Sequence, residues 1–251
     1  PPQRLADVPT PPVCRQRVRE RHGLPADTRL AIGVDRLDYT KGILERFNGV
    51  ERFLDQNPDQ RGKFSLVQIG APTRSTILQY QQFVEQVRAE AARINEKFSI
   101  EAGQAPPILL LDRHHEPEEI FEYFRASEVC LVTSLHDGMN LVAKEFIGAR
   151  DDEDGVLVIS QFAGAAQELP EALVINPYDV DQCASAIAFA LEMNEEERRS
   201  RMRSMRGFVQ EFNVYRWAGR MLIDAAKVRK LADLRRQRTS TLGKTFSSRH
   251  P

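Results

Sequence analysis

Apolar positions along the chain fall into two periodicities that take turns. Short apolar runs over residues 30–34, 64–69, 108–111, 129–133, 156–160 and 172–176 have the length of buried strands. Between them, apolar residues return every three or four positions. Ile43, Phe47, Val50, Phe53 and Leu54 mark one helix, ended by Asn57-Pro58. Ile77, Tyr80, Phe83, Val87, Ala91 and Ile94 form the stripe of a longer one over residues 76–98. Further helices are predicted over 117–126 and 140–150. Strands alternating with helices predict an α/β fold, a doubly wound parallel sheet, because parallel strands need long right-handed crossovers.

After the sixth strand the pattern turns helical, over 180–193, 195–212 and 214–234. In the last of these, Val214, Trp217, Met221, Ala225, Val228 and Leu231 form a stripe expected to pack on something. Residues 1–28 are Pro-rich and charged and read as a linker or N-terminal extension, with a short helix around Cys14 to His22. Residues 29–234 form the expected domain with its C-terminal helices. Residues 235–251 carry five Lys/Arg and no acid, a basic tail expected to be disordered.

Composition narrows the function. With 251 residues the chain can bury a full core, and 35 basic against 36 acidic residues leave net charge -1, no global field for nucleic acid or an anionic membrane. Any cationic site is therefore local. Cys14, Cys130 and Cys183 are far apart and lack metal-type spacing, so they read as reduced thiols, Cys130 as core filling. No long apolar span or signal-peptide pattern is seen, and the expected location is cytoplasmic. The chain starts Pro1-Pro2-Gln3 with no initiator Met, as expected of a piece of something longer.

Ligands of doubly wound sheets bind at the carboxyl ends of the strands. Those ends carry Asp35-Arg36, Gly70 to Arg74, Asp112 to His115, Ser134 to Asn140 and Gln161 to Ala166. The run Leu135-His136-Asp137-Gly138-Met139-Asn140-Leu141-Val142-Ala143-Lys144-Glu145 reads as a strand emptying through a polar turn into a helix. Helix-start N–H groups are unpaired and partly positive, so they suit an anion or a sugar hydroxyl. Asp137 adds an acceptor, and Gly138 lets backbone approach a ligand; equally, Asp137 can simply cap the helix.

In Asp35-Arg36-Leu37-Asp38-Tyr39-Thr40-Lys41-Gly42, Arg36 and Lys41 lie five residues apart across the first strand-to-helix turn. A planar fork and a mobile point charge can together neutralise a leaving diphosphate without metal. Against that, Arg36 can pair with Asp35 or Asp38, and Lys41 can be a solvated helix-start residue. Arg74, in Gly70-Ala71-Pro72-Thr73-Arg74-Ser75, offers one more cation for a phosphate-bearing substrate, or a surface ion pair. His114-His115-Glu116 lacks a third ligand at suitable spacing, so no metal is expected. Neither Gly-x-Gly-x-x-Gly after the first strand, nor Gly-x-x-x-x-Gly-Lys-Ser/Thr, nor a Ser nucleophile elbow is present.

Taken together, Val34 to Gly42, Ala71-Pro72-Thr73-Arg74, Asp137 to Glu145 and Ser160-Gln161-Phe162-Ala163-Gly164-Ala165-Ala166 closely resemble the C-terminal half of trehalose-6-phosphate synthases, in order and spacing, over residues 30–222. The resemblance implies a retaining GT-B glycosyltransferase, two Rossmann-like domains across a cleft, with this chain as the donor-binding half. It implies transfer of glucose from a nucleoside-diphosphate glucose, UDP-glucose favoured, to glucose 6-phosphate. By position, Arg36 and Lys41 would hold the donor diphosphate and act in catalysis, and Arg74 the acceptor phosphate. Asp137, Gly138, Met139 and Asn140 would hold glucose hydroxyls. Leu141 and Val142 would meet phosphate and ribose through their backbone, Glu145 would take the ribose hydroxyls, and His115 would border the base, whose identity stays open.

No cofactor is implied. The implied partners are the two substrates and an N-terminal domain of the same protein, with no nucleic acid and no membrane, and the oligomeric state stays open. That domain, with most acceptor contacts, is absent, so the chain alone is expected to bind nucleotide weakly and catalyse nothing. His136 departs from the Arg that relatives often carry before the turn. The alternatives are a glucosylglycerol-phosphate synthase using glycerol 3-phosphate and a non-catalytic nucleotide-sugar-binding regulatory module.

Overall fold

The computed structural model describes residues 8–71, 77–98 and 103–247, with side chains described as far as Lys230. In chain order the elements are α1 (Pro11–Arg21), β1 (Arg29–Arg36), α2 (Ile43–Gln56), β2 (Phe64–Ala71), α3 (Leu78–Lys97), β3 (Ile108–Leu111) and α4 (Pro117–Ala126). Then follow β4 (Val129–Val132), α5 (Leu141–Ala149), β5 (Val156–Ser160), β6 (Leu173–Ile175), α6 (Val180–Glu192), α7 (Glu195–Glu211) and α8 (Val214–Ser247).

The strands form one parallel sheet in the order β3-β2-β1-β4-β5-β6. β1 pairs along its whole length with β2, Arg29 opposite Phe64 through Arg36 opposite Ala71, and more briefly with β4 at Ala31–Val129 and Ile32–Cys130. The chain winds outward from β1 in one direction and then from β4 in the other. Between those two strands the order reverses, the place in such sheets where ligands bind at the carboxyl ends of the strands. The expected doubly wound fold is therefore the observed one.

Two apolar faces hold the layers together. On one, Phe47, Val50, Phe53 and Leu54 of α2 meet Leu66 of β2, Val87 and Ile94 of α3, and Ile187 of α6. Phe53 packs edge-on against Phe64, ring centroids 5.1 Å apart. Each such side chain taken wholly out of water stabilises the fold by about 1.5–3 kcal/mol. The three cysteines are buried and unbridged, and burial pushes the Cys14 thiol up to about 11, which makes it inert.

The structure corrects two expected boundaries. The short helix expected around Cys14 to His22 is α1, and it packs into the first unit: Cys14 and Val18 are fully buried, and α1 lies on α4 with Arg21 donating to Glu122 at 2.9 Å and His22 bonding Tyr123 at 2.8 Å. Charged residues on the outer face of α1 hid an inner face of only a few small apolar side chains. At the other end α8 runs to Ser247, through most of the basic tail expected to be disordered. Its Arg, Gln, Leu and Lys residues are good helix formers, and no proline interrupts residues 235–247.

The chain divides into two compact units, the first ending at Phe208 and the second beginning at Val209. In the second, Asn213 caps α8 by accepting from Tyr215 N–H at 3.0 Å, and Arg216 lies over the Phe212 ring, 4.1 Å from its centroid. The apolar stripe of α8 is exposed at Val214, Trp217, Met221 and Val228, as the resemblance implies for a helix whose packing partner lies in the other half of the protein.

Candidate functional site

β1 and β4 deliver their loops to the same point. After β1, Asp38 starts a short 3-10 turn, its Oδ1 accepting from Thr40 N–H at 2.9 Å and from the Thr40 hydroxyl at 2.8 Å. Gly42 ends the turn in the left-handed region, φ 63°, and a Cβ there would overlap the Thr133 carbonyl oxygen. Only glycine lets the β1 loop lie this close to the end of β4. From the other side, Leu135 N–H donates to Thr40 O at 2.8 Å.

This stitching sets Lys41 Nζ 2.7 Å from Asp137 Oδ2, both side chains mostly buried at 16% exposure. Asp137 also accepts at Oδ1 from Met139 N–H (3.3 Å) and at Oδ2 from the Asn140 amide (3.2 Å). Burial raises its carboxyl, but Lys41 foremost and these two donors outweigh that and hold it below the usual carboxylate range. It is an anion held against a cation.

Asn140, rather than Asp137, caps α5. It is itself in a left-handed conformation, φ 76°, and its Oδ1 accepts from Ala143 N–H at 3.0 Å. Asp137 is thereby left for the site, which removes the plain capping reading of that residue. Ahead of Asn140 the turn is braced from β5's loop: Gly164 N–H donates to Asp137 O at 2.9 Å and Ala165 N–H to Met139 O at 2.7 Å. A Cβ on Gly164 would overlap Gly138 O, which explains the small residues there. Gly138, Met139 and Leu141 are exposed, Val142 is half-buried and Glu145 exposed, along the mouth and first turns of α5. The first-turn amides of Leu141 and Val142 have no carbonyl one turn back to bond.

The other expected residues stand differently. Arg36 turns onto its own loop, its guanidinium 3.9 Å from Asp38 Oδ2 and 55% exposed, and does not touch the Asp137 turn. His115 does not reach the site through its ring. The side chain is fully buried, Nδ1 bonds Arg113 O at 2.9 Å and the ring stands edge-on to Tyr123, because the chain folds it under α4. His114 is the exposed one of the pair. Arg74 lies outside the described residues. Among the described residues no cluster of His, Cys, Asp or Glu could hold a metal ion, and no helix is long and apolar enough to cross a membrane. The surface hollows bounded by Leu44, Gln86 and Arg93 and by Glu171, Asn194 and Arg201 include none of the site's residues.

One layer was overlooked by sequence reasoning: Arg46, Asp35, Gln68 and Thr133, a polar network wholly inside the first unit. The signal was there. Arg46 falls three residues after Ile43 and four before Val50, on the helix face that is otherwise apolar.

A doubly wound parallel sheet with a lysine, a carboxylate and a helix mouth at its switch point defines an α/β ligand-binding domain suited to a phosphorylated or polyhydroxylated molecule. The model of glycosyltransferase family 20 matches residues 3–227. A trehalose-6-phosphate synthase of Sodalis glossinidius (strain morsitans) is 39% identical over 231 residues, covering 92% of this chain and 48% of that protein. A trehalose-6-phosphate structure from E. coli, bound with UDP-2-fluoro glucose, superposes with TM-score 0.80 at 40% identity, covering 88% of this chain and 48% of that one. An alpha,alpha-trehalose-phosphate synthase (UDP-forming) from Burkholderia xenovorans, in complex with glucose-6-phosphate, gives TM-score 0.77 at 41% identity, with 86% and 50% covered. The chain belongs to glycosyltransferase family 20. It spans about half the length of the relatives it matches.

Proposed function

We propose that this chain is the donor-binding half of a retaining glucosyltransferase that moves glucose from UDP-glucose to glucose 6-phosphate, giving trehalose 6-phosphate. The observation that carries the reading is the Lys41–Asp137 pair, which joins the β1 and β4 loops at the switch point beside the mouth of α5. Relatives of similar fold, one bound with UDP-2-fluoro glucose and another with glucose-6-phosphate, support the choice of substrates.

In this reading Asp137 and the turn through Asn140 take the glucose hydroxyls, and the Leu141 and Val142 amides take phosphate and ribose. Glu145 accepts from the ribose, and Arg74 takes the acceptor's phosphate. Lys41 moves the short distance from Asp137 to the diphosphate, and Arg36, half-exposed on its loop, swings in beside it. As the glycosidic bond to the leaving phosphate breaks, negative charge grows on that phosphate. Two cations placed there lower the barrier, since they interact more strongly with the transition state than with the bound donor. The leaving phosphate, on the same face of the sugar, helps to deprotonate the acceptor hydroxyl. The chemistry asks for no cofactor, and we place the protein in the cytoplasm, where buried unpaired cysteines persist as thiols.

Calorimetric titration of the chain with UDP, ADP and GDP tests the donor reading: UDP binds most tightly, and absence of binding by all three overturns it. With the other half of the protein joined, UDP is released in the presence of glucose 6-phosphate. Release with glycerol 3-phosphate instead transfers the assignment to a glucosylglycerol-phosphate synthase.

A further inference from the structure

Beneath the site lies a side-chain network that the donor reading does not use. Arg46, on the inner face of α2, has no exposed surface, yet its guanidinium spans three strands. Nη1 lies 2.8 Å from Asp35 Oδ2 on β1 and donates to Gln68 Oε1 on β2 at 2.6 Å. Nε donates to Thr133 Oγ1, one residue past β4, at 3.1 Å. Thr133 Oγ1 donates in turn to Gly42 O at 2.7 Å and lies 3.5 Å from Lys41 O. Gly33 makes room, since a Cβ on it would overlap Arg46 Nη1.

A buried arginine beside a buried carboxylate is a costly way to fill space that apolar side chains would fill as well. Arg46 Nη2 even lacks a hydrogen-bond partner. Burial pushes the Asp35 carboxyl up although Arg46 lies against it. Packing alone does not account for such an arrangement. What the network does reach is the Lys41-Gly42 peptide, from below, while Leu135 N–H holds Thr40 O from the side.

We propose that Arg46 and Thr133 are positioning residues: by clamping the carbonyl of Gly42 across the gap between β1 and β4, they hold Lys41 where it meets Asp137 and, on the donor reading above, the diphosphate. Neither touches substrate. Their effect is felt by the phosphates and not by the nucleoside, because Lys41 is the group they place.

Two readouts separate this from a merely structural role. Hydrogen–deuterium exchange is compared over residues 38–42 and 134–140 in the wild type, Thr133→Val, Thr133→Ser and Arg46→Lys; UDP and uridine are then titrated into each. Thr133→Val and Arg46→Lys speed exchange in both loops by about ten-fold while the amides of Ile32 and Leu131 keep their protection. Thr133→Ser, which keeps the hydroxyl, behaves as the wild type. UDP affinity falls by about ten-fold in the first two variants and uridine affinity is unchanged. Unaltered exchange in the loops of Thr133→Val overturns the inference whatever UDP does, and equal weakening of UDP and uridine overturns it too. A wild type that ignores UDP overturns the donor reading instead, and the exchange comparison still decides the clamp.

Discussion

At the scale of single residues, Lys41 carries the most specific expectation. A charge-assisted hydrogen bond contributes roughly 1.5–3 kcal/mol. Lys41→Ala should weaken UDP binding by about that much, and Arg36→Ala likewise if Arg36 swings in as proposed; unchanged titration curves for both would remove the cationic clamp. Asp137→Asn separates the two substrate parts. It frees Lys41 from its carboxylate, so UDP binds at least as tightly as to the wild type, while UDP-glucose loses its margin over UDP because a hydroxyl acceptor is gone. Loss of UDP binding equal to that of UDP-glucose would argue that Asp137 serves the loop and not the sugar. Much of this was legible in the residues themselves, since Lys41, Asp137 and the turn to Asn140 come together as their motifs imply. Arg36 and His115 were not, because short-range partners decide where they point. Asp38 two residues on takes Arg36, and Tyr123 with Arg113 O takes the His115 ring.

Among elements, the α2–α3 layer supports the β1 loop, and its outer edge is tied by charge. Glu51 of α2 accepts from Arg93 and from Lys97 of α3, the latter at 2.8 Å. The hydrogen bond from Arg93 is the largest influence on its carboxyl, burial opposes it, Lys97 adds to it, and the group is held down at about 2. Folded Glu51 thus releases its proton more readily than unfolded Glu51. Its contribution is fully present above the ordinary glutamate value of 4.5 and is lost as pH falls from there toward about 2. Because Arg93 and Lys97 are well exposed to solvent, the contribution is small. Urea midpoints measured from pH 6 to pH 2.5 should fall less steeply for Glu51→Gln than for the wild type; parallel curves would contradict the tie. The strands and the crossover helices were readable from apolar period alone, with β3, β5 and α4 at their expected limits. The ends were not. α1 buries a face too short to show a period, and α8 continues on helix propensity where charge alone suggested disorder.

For the molecule as a whole, the governing fact is that the chain covers about half of its relatives' length. On the proposed reading the donor contacts are made by this chain and most acceptor contacts by the other half, so binding and turnover come apart. The chain alone should bind UDP-glucose and release no UDP with glucose 6-phosphate, and joining the other half should restore release; turnover by the isolated chain would show that the division of labour is misassigned. The most direct test of the central claim is a titration of the isotope-labelled chain with UDP-glucose, followed by amide chemical shifts. The account predicts saturable shifts at Lys41 and from Gly138 to Val142, at the meeting of the β1 and β4 loops. Shifts confined to other surfaces, or none at any concentration, would contradict it.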